Sequence, residues 1–333
     1  MSTRQKRITL WLLATLFLAN VSLADAQQTG KVPRIGLLEP STASGSAVLW
    51  EAFRQELSKL GWIEGKNIAI EYRFAEQKNE RLPELAADLV RLKVDLIVTS
   101  GGTTPLAAKR ATTTIPIVMA GGGDPVGAGL VTSLARPGGN VTGFSNLTPE
   151  LNTKRLEILK DAVPQLGRVG LLWTSGGANI GLDLQLKELR AAAPVLKLKL
   201  EEIETQLDAK GLESAFQTAT QKQVGAVMTI TTRRFFAERK RIVELAAKHR
   251  VPAIYFQKEF VDGGGLMSYG VDYTDLYRRA AVYADKILKG AKPADLPVQQ
   301  ATKFEFVINL KAAKQIGLTI PPDVLARANK VIK

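Results

Sequence analysis

The residues able to do chemistry in this chain are few, and they sit in loops of small residues. Ser100, Gly101, Gly102, Thr103 and Thr104 follow the short apolar run Asp95–Val98 and precede a helix-forming stretch that reaches Arg110. Glycines let a ligand approach the backbone, while hydroxyls and free N–H groups at a helix start hold an anion without burying a countercharge. Ser100 and Thr103 are therefore expected to bind a carboxylate. The plainer alternative is a β–α turn with a threonine cap.

Other chemistries lack their residues. The sole histidine is His249, at the predicted end of a helix, where the dipole favours a cation. With one histidine and no cysteine, a Ser-His-Asp triad, a thiolate nucleophile, a His-rich metal site and a disulfide are not expected. Gly61–Lys66 imitates a phosphate loop, but its glycine spacing and the following Asn67 are wrong. Gly127-Ala128-Gly129 lacks the third glycine of a dinucleotide fingerprint. No catalytic residue, metal or cofactor is assigned.

The elements that must position these loops alternate strand and helix. Val32–Leu38 reads as a strand, Ala47–Leu60 as an amphipathic helix, Asn67–Phe74 as a strand and Glu80–Leu92 as a helix. The strand before Ser100 and its helix follow, then a buried strand over Ile115–Ala120. Gly121–Pro125 ends that strand, and Asp124 is expected to cap a short helix begun by Pro125. Val141–Ser145, which carries Phe144, is a further strand. The pattern then restarts. Pro149–Val163 is helical, and Arg168–Trp173 is a strand much like Pro33–Leu38. Strands over Leu196–Ile203, Ala226–Ile230, Pro252–Phe256 and Leu266–Tyr269 alternate with helices over Gly181–Ala193, Ala209–Gln221 and Phe235–His249. A long helix over Asp275–Gly290, a linker, a strand over Thr302–Asn309 and a short helix over Leu310–Ile316 follow, with a peripheral ANKVIK terminus. Repeated β–α units imply parallel sheets covered by helices on both faces. Two such halves suggest two lobes facing a cleft, a preferred place for a ligand.

The N-terminal stretch reads as a signal peptide. Arg4, Lys6 and Arg7 are followed by apolar Ile8–Leu23 and a small-x-small site at Ala24-Asp25-Ala26. Cleavage after Ala26 leaves about 300 residues, enough for two lobes with their own cores. A membrane anchor is the alternative, although the apolar run is short and contains Asn20 and Ser22. The chain is expected in the periplasm, without a lipidated cysteine. Its net charge of +13 is spread over many helices among acidic residues, and only 6% of residues are aromatic. That pattern fits a solvated basic surface and no nucleic-acid partner.

Longer matches point to a family. They include LGWIEGKNIAIEYRFAE (60–76), ERLPELAADLVRLKVDLIVTSGG (80–102) and TTTIPIVMAGGGDPVGAGLVTSLARPGGNVTGFS (112–145). KRLEILKDAVP (154–164), GGGLMSYGVD (263–272) and the stretch 285–322 continue them. In their order and coverage the chain resembles the tryptophan/tyrosine-type substrate-binding proteins of ABC transporters. The resemblance implies a type I periplasmic binding protein fold: two Rossmann-like α/β lobes with parallel sheets, joined by a three-strand hinge. The lobes would be residues 32–145 plus 270–297, and 146–269 plus 298–333. Crossings would lie near Ser145–Thr148, Tyr269–Asp272 and Pro297–Gln299. It further implies hinge closure around a ligand and docking to an inner-membrane ABC permease.

The expected ligand is a small carboxylate, either an amino acid, with an aromatic side chain as one option, or an acid without an amine. Ser41, Ser100, Gly101, Thr103 and Gly122 would line one lobe. Trp173, Asn179, Tyr255 and Gln257 would line the other, with their aromatics stacking on a planar ligand. Phe144 lies near the first crossing, and Asp272, at the second, could accept an ammonium. Each has a packing or capping alternative: Trp173 and Phe256 as core, Asn179 and Asp272 as caps. No carboxylate follows the strand that ends near Ile230, so an ammonium acceptor must come from elsewhere. The chain is read as a binding protein rather than an enzyme. An exported sensory receptor or an exported α/β hydrolase are the competing readings.

Overall fold

A computed structural model describes residues 31–146, 148–175 and 180–333. The expected signal peptide and Asn179 lie outside the described residues. The first half runs β1 (Arg34–Glu39), α1 (Ala43–Lys59), β2 (Ala69–Phe74), α2 (Leu82–Arg91), β3 (Leu96–Thr99), α3 (Thr104–Ala111), β4 (Ile117–Gly122) and β5 (Val141–Ser145). The second runs α4 (Thr148–Ala162), β6 (Arg168–Trp173), α5 (Ile180–Val195), β7 (Lys199–Glu204), α6 (Ala209–Gln221), β8 (Ala226–Thr229), α7 (Arg233–Ala237), α8 (Arg239–Lys248), β9 (Ala253–Tyr255), α9 (Lys258–Asp262) and β10 (Met267–Val271). The chain closes with α10 (Tyr273–Leu288), β11 (Gln299–Gln300), β12 (Phe304–Asn309), α11 (Leu310–Ile316), α12 (Pro322–Ala326) and β13 (Lys330–Ile332).

These strands make two sheets, in the orders β11-β5-β4-β3-β1-β2 and β13-β12-β10-β9-β8-β6-β7. Strands β1, β3 and β4 are buried along nearly their whole length, as are β6 and β8, because helices cover both faces. Strand β1 lies between β2 and β3, and β6 between β7 and β8 in the same parallel sense. The repeat read from the sequence is thus a repeat of topology. All pairings of the first sheet are parallel. In the second, β12 runs antiparallel to β10.

The chain passes between the sheets three times. After β10 of the second sheet, α10 returns to the first lobe and packs on α1, with Trp50 edge-on to Tyr277 at 4.9 Å. Strand β11 then pairs with β5 before β12 joins the second sheet. One expected crossing is narrowed within its range and another shifts. Gly270 and Val271 still pair with Glu305 and Phe304, so the second crossing follows Val271. Gln299 and Gln300 still pair with Phe144 and Ser145, so the third follows Gln300.

Local differences have local causes. The expected helix over Phe235–His249 breaks at Glu238, where Arg239 turns to donate to the carbonyl of Gly45 at 3.0 Å. No helix forms after Pro125; Asp124 Oδ1 instead accepts from the N–H groups of Val126 and Gly127, both at 3.0 Å, in a turn. The terminus is not peripheral, because β13 pairs with β12. Among the described residues no helix is long and apolar enough to cross a membrane.

Candidate ligand-binding site

The carboxyl ends of the strands in both lobes face one cleft, as the topology of open α/β sheets dictates. The first lobe contributes Gly101, Gly102, Thr103, Gly121, Gly123 and Asp124 to its walls. The second contributes Leu184, Gln185 and Thr231–Arg234, and Asn146 and Tyr273 stand at the crossings. Opening from it is a cavity of about 260 Å³ whose walls include Pro105, Leu106, Met119, Leu130 and Leu184. One end of the site is polar and the other apolar, the usual division in a small-molecule pocket. The lobes also touch directly: Gln77 Nε2 donates to Glu238 Oε1 at 2.9 Å.

Arg233 is the main charged group in the wall. It starts α7 just after the Thr232 cap, whose hydroxyl accepts from the N–H groups of Arg234 and Phe235. Its guanidinium lies 4.2 Å from the Tyr273 ring centroid and 5.0 Å from that of Phe236. Stacking on rings holds a guanidinium flat while leaving its edge free to donate. Nη2 donates to Gln257 Oε1 at 2.9 Å. Nη1 is buried without a hydrogen-bond partner, although the residue is only 5% exposed.

Beneath the first-lobe wall lies Glu39, at the end of β1 and fully buried. Its carboxylate accepts from Ser100 Oγ at 2.6 Å, Trp50 Nε1 at 3.1 Å and the Ser41 N–H at 3.2 Å. Burial raises its pKa above the ordinary glutamate range, against the pull of those hydrogen bonds and of Arg233. Glu259 is raised by the same cause, and Arg234 and Arg239 are lowered by burial.

The residues singled out from sequence divide clearly. Gly101 and Thr103 line the cleft, and Gly122 lines the apolar cavity. Ser100 does not reach the cleft, because its hydroxyl is committed to Glu39. Ser41 is buried beside the same carboxylate. Phe144 is core, 4.8 Å from Tyr283 between ring centroids. Trp173 packs against the core. Tyr255 is buried and stacked on Phe260 at 4.6 Å. Gln257 is buried behind Arg233 and orients it. Asp272 caps α10 by accepting from the Asp275 N–H at 3.0 Å.

The sequence reading missed Arg233, Tyr273, Asn146 and Gln185 as lining residues. For Arg233 a signal existed. The loop after β8 holds the same place in the second lobe as the loop after β3 in the first, so Thr231–Arg234 is the counterpart of Ser100–Thr103.

A profile of the ABC transporter substrate binding protein family matches residues 44–332. The chain belongs to that family. Among curated relatives, a tyrosine-binding protein of Clostridioides difficile is 30% identical over 273 residues, covering 80% of this chain and 76% of that protein. A conserved domain protein of Vibrio cholerae has a similar structure, with a TM-score of 0.81 and 30% identity over 90% of this chain and all of the other. An ABC domain from Streptococcus pneumonia crystallised with L-Trp has a TM-score of 0.79 and 27% identity, over 91% of this chain and all of that one. The two α/β lobes are those of a type I periplasmic binding protein. The family and its relatives are substrate-binding proteins rather than enzymes.

Proposed function

We propose that this protein is the exported solute receptor of an ABC importer, and that it captures an L-amino acid with an apolar side chain, aromatic ones included. The observation that carries the reading is Arg233: a buried guanidinium in the cleft wall with one nitrogen lacking a partner. An amino acid's carboxylate supplies the missing acceptor through a charge-assisted hydrogen bond. Asp124, in the opposite wall, is placed to accept the ammonium while it caps its own turn. The side chain then lies in the cavity beside Leu106, Leu130 and Leu184. Thr103 and the backbone of Gly101 contribute from the first lobe. The tyrosine-binding relative and the L-Trp complex support this ligand class.

The receptor acts in the periplasm, and an inner-membrane permease takes over the solute. Calorimetry and thermal shift against the proteinogenic L-amino acids test the ligand class, since a bound ligand raises the melting temperature by mass action. Saturable binding of an apolar or aromatic amino acid is expected. Binding only of polar solutes such as sugars would reject the reading.

A further inference from the structure

The second lobe buries another guanidinium, which the reading above leaves unused. Arg155, on α4, is 2% exposed. Its donors go to neutral oxygens: Nη1 to the Tyr269 carbonyl at 3.2 Å, and Nη2 to Asn152 Oδ1 and to Thr231 Oγ1, the latter at 2.7 Å. Nε has no partner, and among the described residues no carboxylate lies within ion-pair distance. A buried cation among neutral groups is costly, and apolar residues of similar volume often serve stability as well or better. Fold stability alone is therefore a weak reason for Arg155 to be there.

The residue it touches stands in the cleft wall. Every polar atom of Thr231 is held. Its N–H donates to Gln185 Oε1 at 2.7 Å, its carbonyl accepts from Gln185 Nε2 at 3.2 Å, and its hydroxyl oxygen accepts from Arg155. A hydroxyl has one proton to give. Among the described residues its recorded acceptor is Asn152 Oδ1, a long contact of 3.5 Å to an oxygen that also accepts from Arg155. Thr231 also lines the cleft, where a ligand oxygen at ordinary distance would offer that proton a shorter bond.

We infer that Arg155 is a positioning residue for ligand binding, which turns the Thr231 hydroxyl outward as a donor and places positive potential behind it, so that the site selects a carboxylate over its neutral amide. The inference rests on the carboxylate reading of the site and adds a second, indirect cation to Arg233. Its chemistry is that of one hydrogen bond made by a polarised hydroxyl and strengthened by a nearby charge in a low-dielectric wall.

The test compares acid with amide by calorimetry: L-tryptophan, L-tyrosine and benzoate, each against its primary amide, with wild type, Arg155→Gln and Arg155→Lys. Wild type is expected to prefer the acid, and Arg155→Gln to cut the acid-to-amide ratio about tenfold, the scale of one charge-assisted hydrogen bond. Arg155→Lys, which keeps the charge, should recover part of it. An unchanged ratio in Arg155→Gln, or equal losses for acid and amide, overturns the inference and leaves a structural role. If Arg155→Gln does not fold, Thr231→Val decides, because the ratio must fall there too. Wild type that binds benzoate but neither amino acid rejects the amino-acid reading alone, and benzoate against benzamide then judges Arg155. Wild type that binds none of the three acids overturns both.

Discussion

The Arg233 guanidinium carbon lies 4.2 Å from the centroid of the Tyr273 ring. This contact joins the start of α7 in one lobe to the start of α10, which packs with the other. Tyr273 is tied in turn to the first crossing, because Asn146 Nδ2 donates to its hydroxyl at 2.8 Å. The cation proposed to grip the ligand therefore rests against a residue held at the crossings between the lobes.

Arg233→Met should weaken binding of L-tryptophan or L-tyrosine by about 1.5–3 kcal/mol, the range for a hydrogen bond to a charged group. Arg233→Lys should recover little, since a lysine ammonium neither stacks nor forks. Calorimetry at neutral pH checks both. Equal affinity in wild type and Arg233→Met would place the carboxylate elsewhere.

Glu39 predicts a slope of stability with pH. Its folded pKa is raised, so the folded state holds the proton more readily than the unfolded chain. The stability it contributes is complete below the unfolded value and is lost as pH rises through the folded value. Glu39→Gln should remove that component. The urea midpoint of the variant, relative to wild type, should therefore rise as pH increases above the ordinary glutamate range. A difference that stays constant over that increase would mean that Glu39 titrates like a solvated carboxyl.

Gly45 is a point of close approach between lobes. A Cβ built there would lie 2.7 Å from the Ala237 Cβ and equally close to Ser41 Oγ. Gly45→Ala should oppose closure and cost binding about 1–3 kcal/mol, the usual penalty of overpacking. The contact with Ser41 lies within one lobe, so the ligand-free melting temperature should fall as well, and small-angle scattering should show a larger radius with ligand present. A fully closed variant of unchanged affinity would contradict this.

Leu184, at 37% exposure, brings an apolar side chain from the second lobe to the cavity mouth. Leu184→Ala should cost an aromatic amino acid about 1–2 kcal/mol through lost apolar burial, with little effect on alanine. Equal losses for both ligands would show that Leu184 does not meet the side chain.

Much of the fold was legible in the sequence because its cause is local. Short β-branched runs such as Asp95–Val98 before a glycine loop read as strands buried on both faces, and alternation of strand and helix favours a parallel sheet. The likeness of Pro33–Leu38 to Arg168–Trp173 exposed the repeat, and the small-residue loop at Ser100–Thr104 pointed to the carboxyl ends of the strands, where Gly101 and Thr103 line the cleft. What a side chain touches was not legible. Ser100 and Thr103 lie three residues apart in one loop, yet only Thr103 meets the cleft, because Ser100 is drawn to Glu39, sixty-one positions earlier. Arg233 looked like one of many surface cations. Only the packing of Tyr273, Phe236 and Gln257 around it makes it a buried, half-satisfied one. Backbone pattern follows from the order of residue types along the chain, whereas desolvation and hydrogen-bond partnership depend on neighbours that the chain brings together only when it folds.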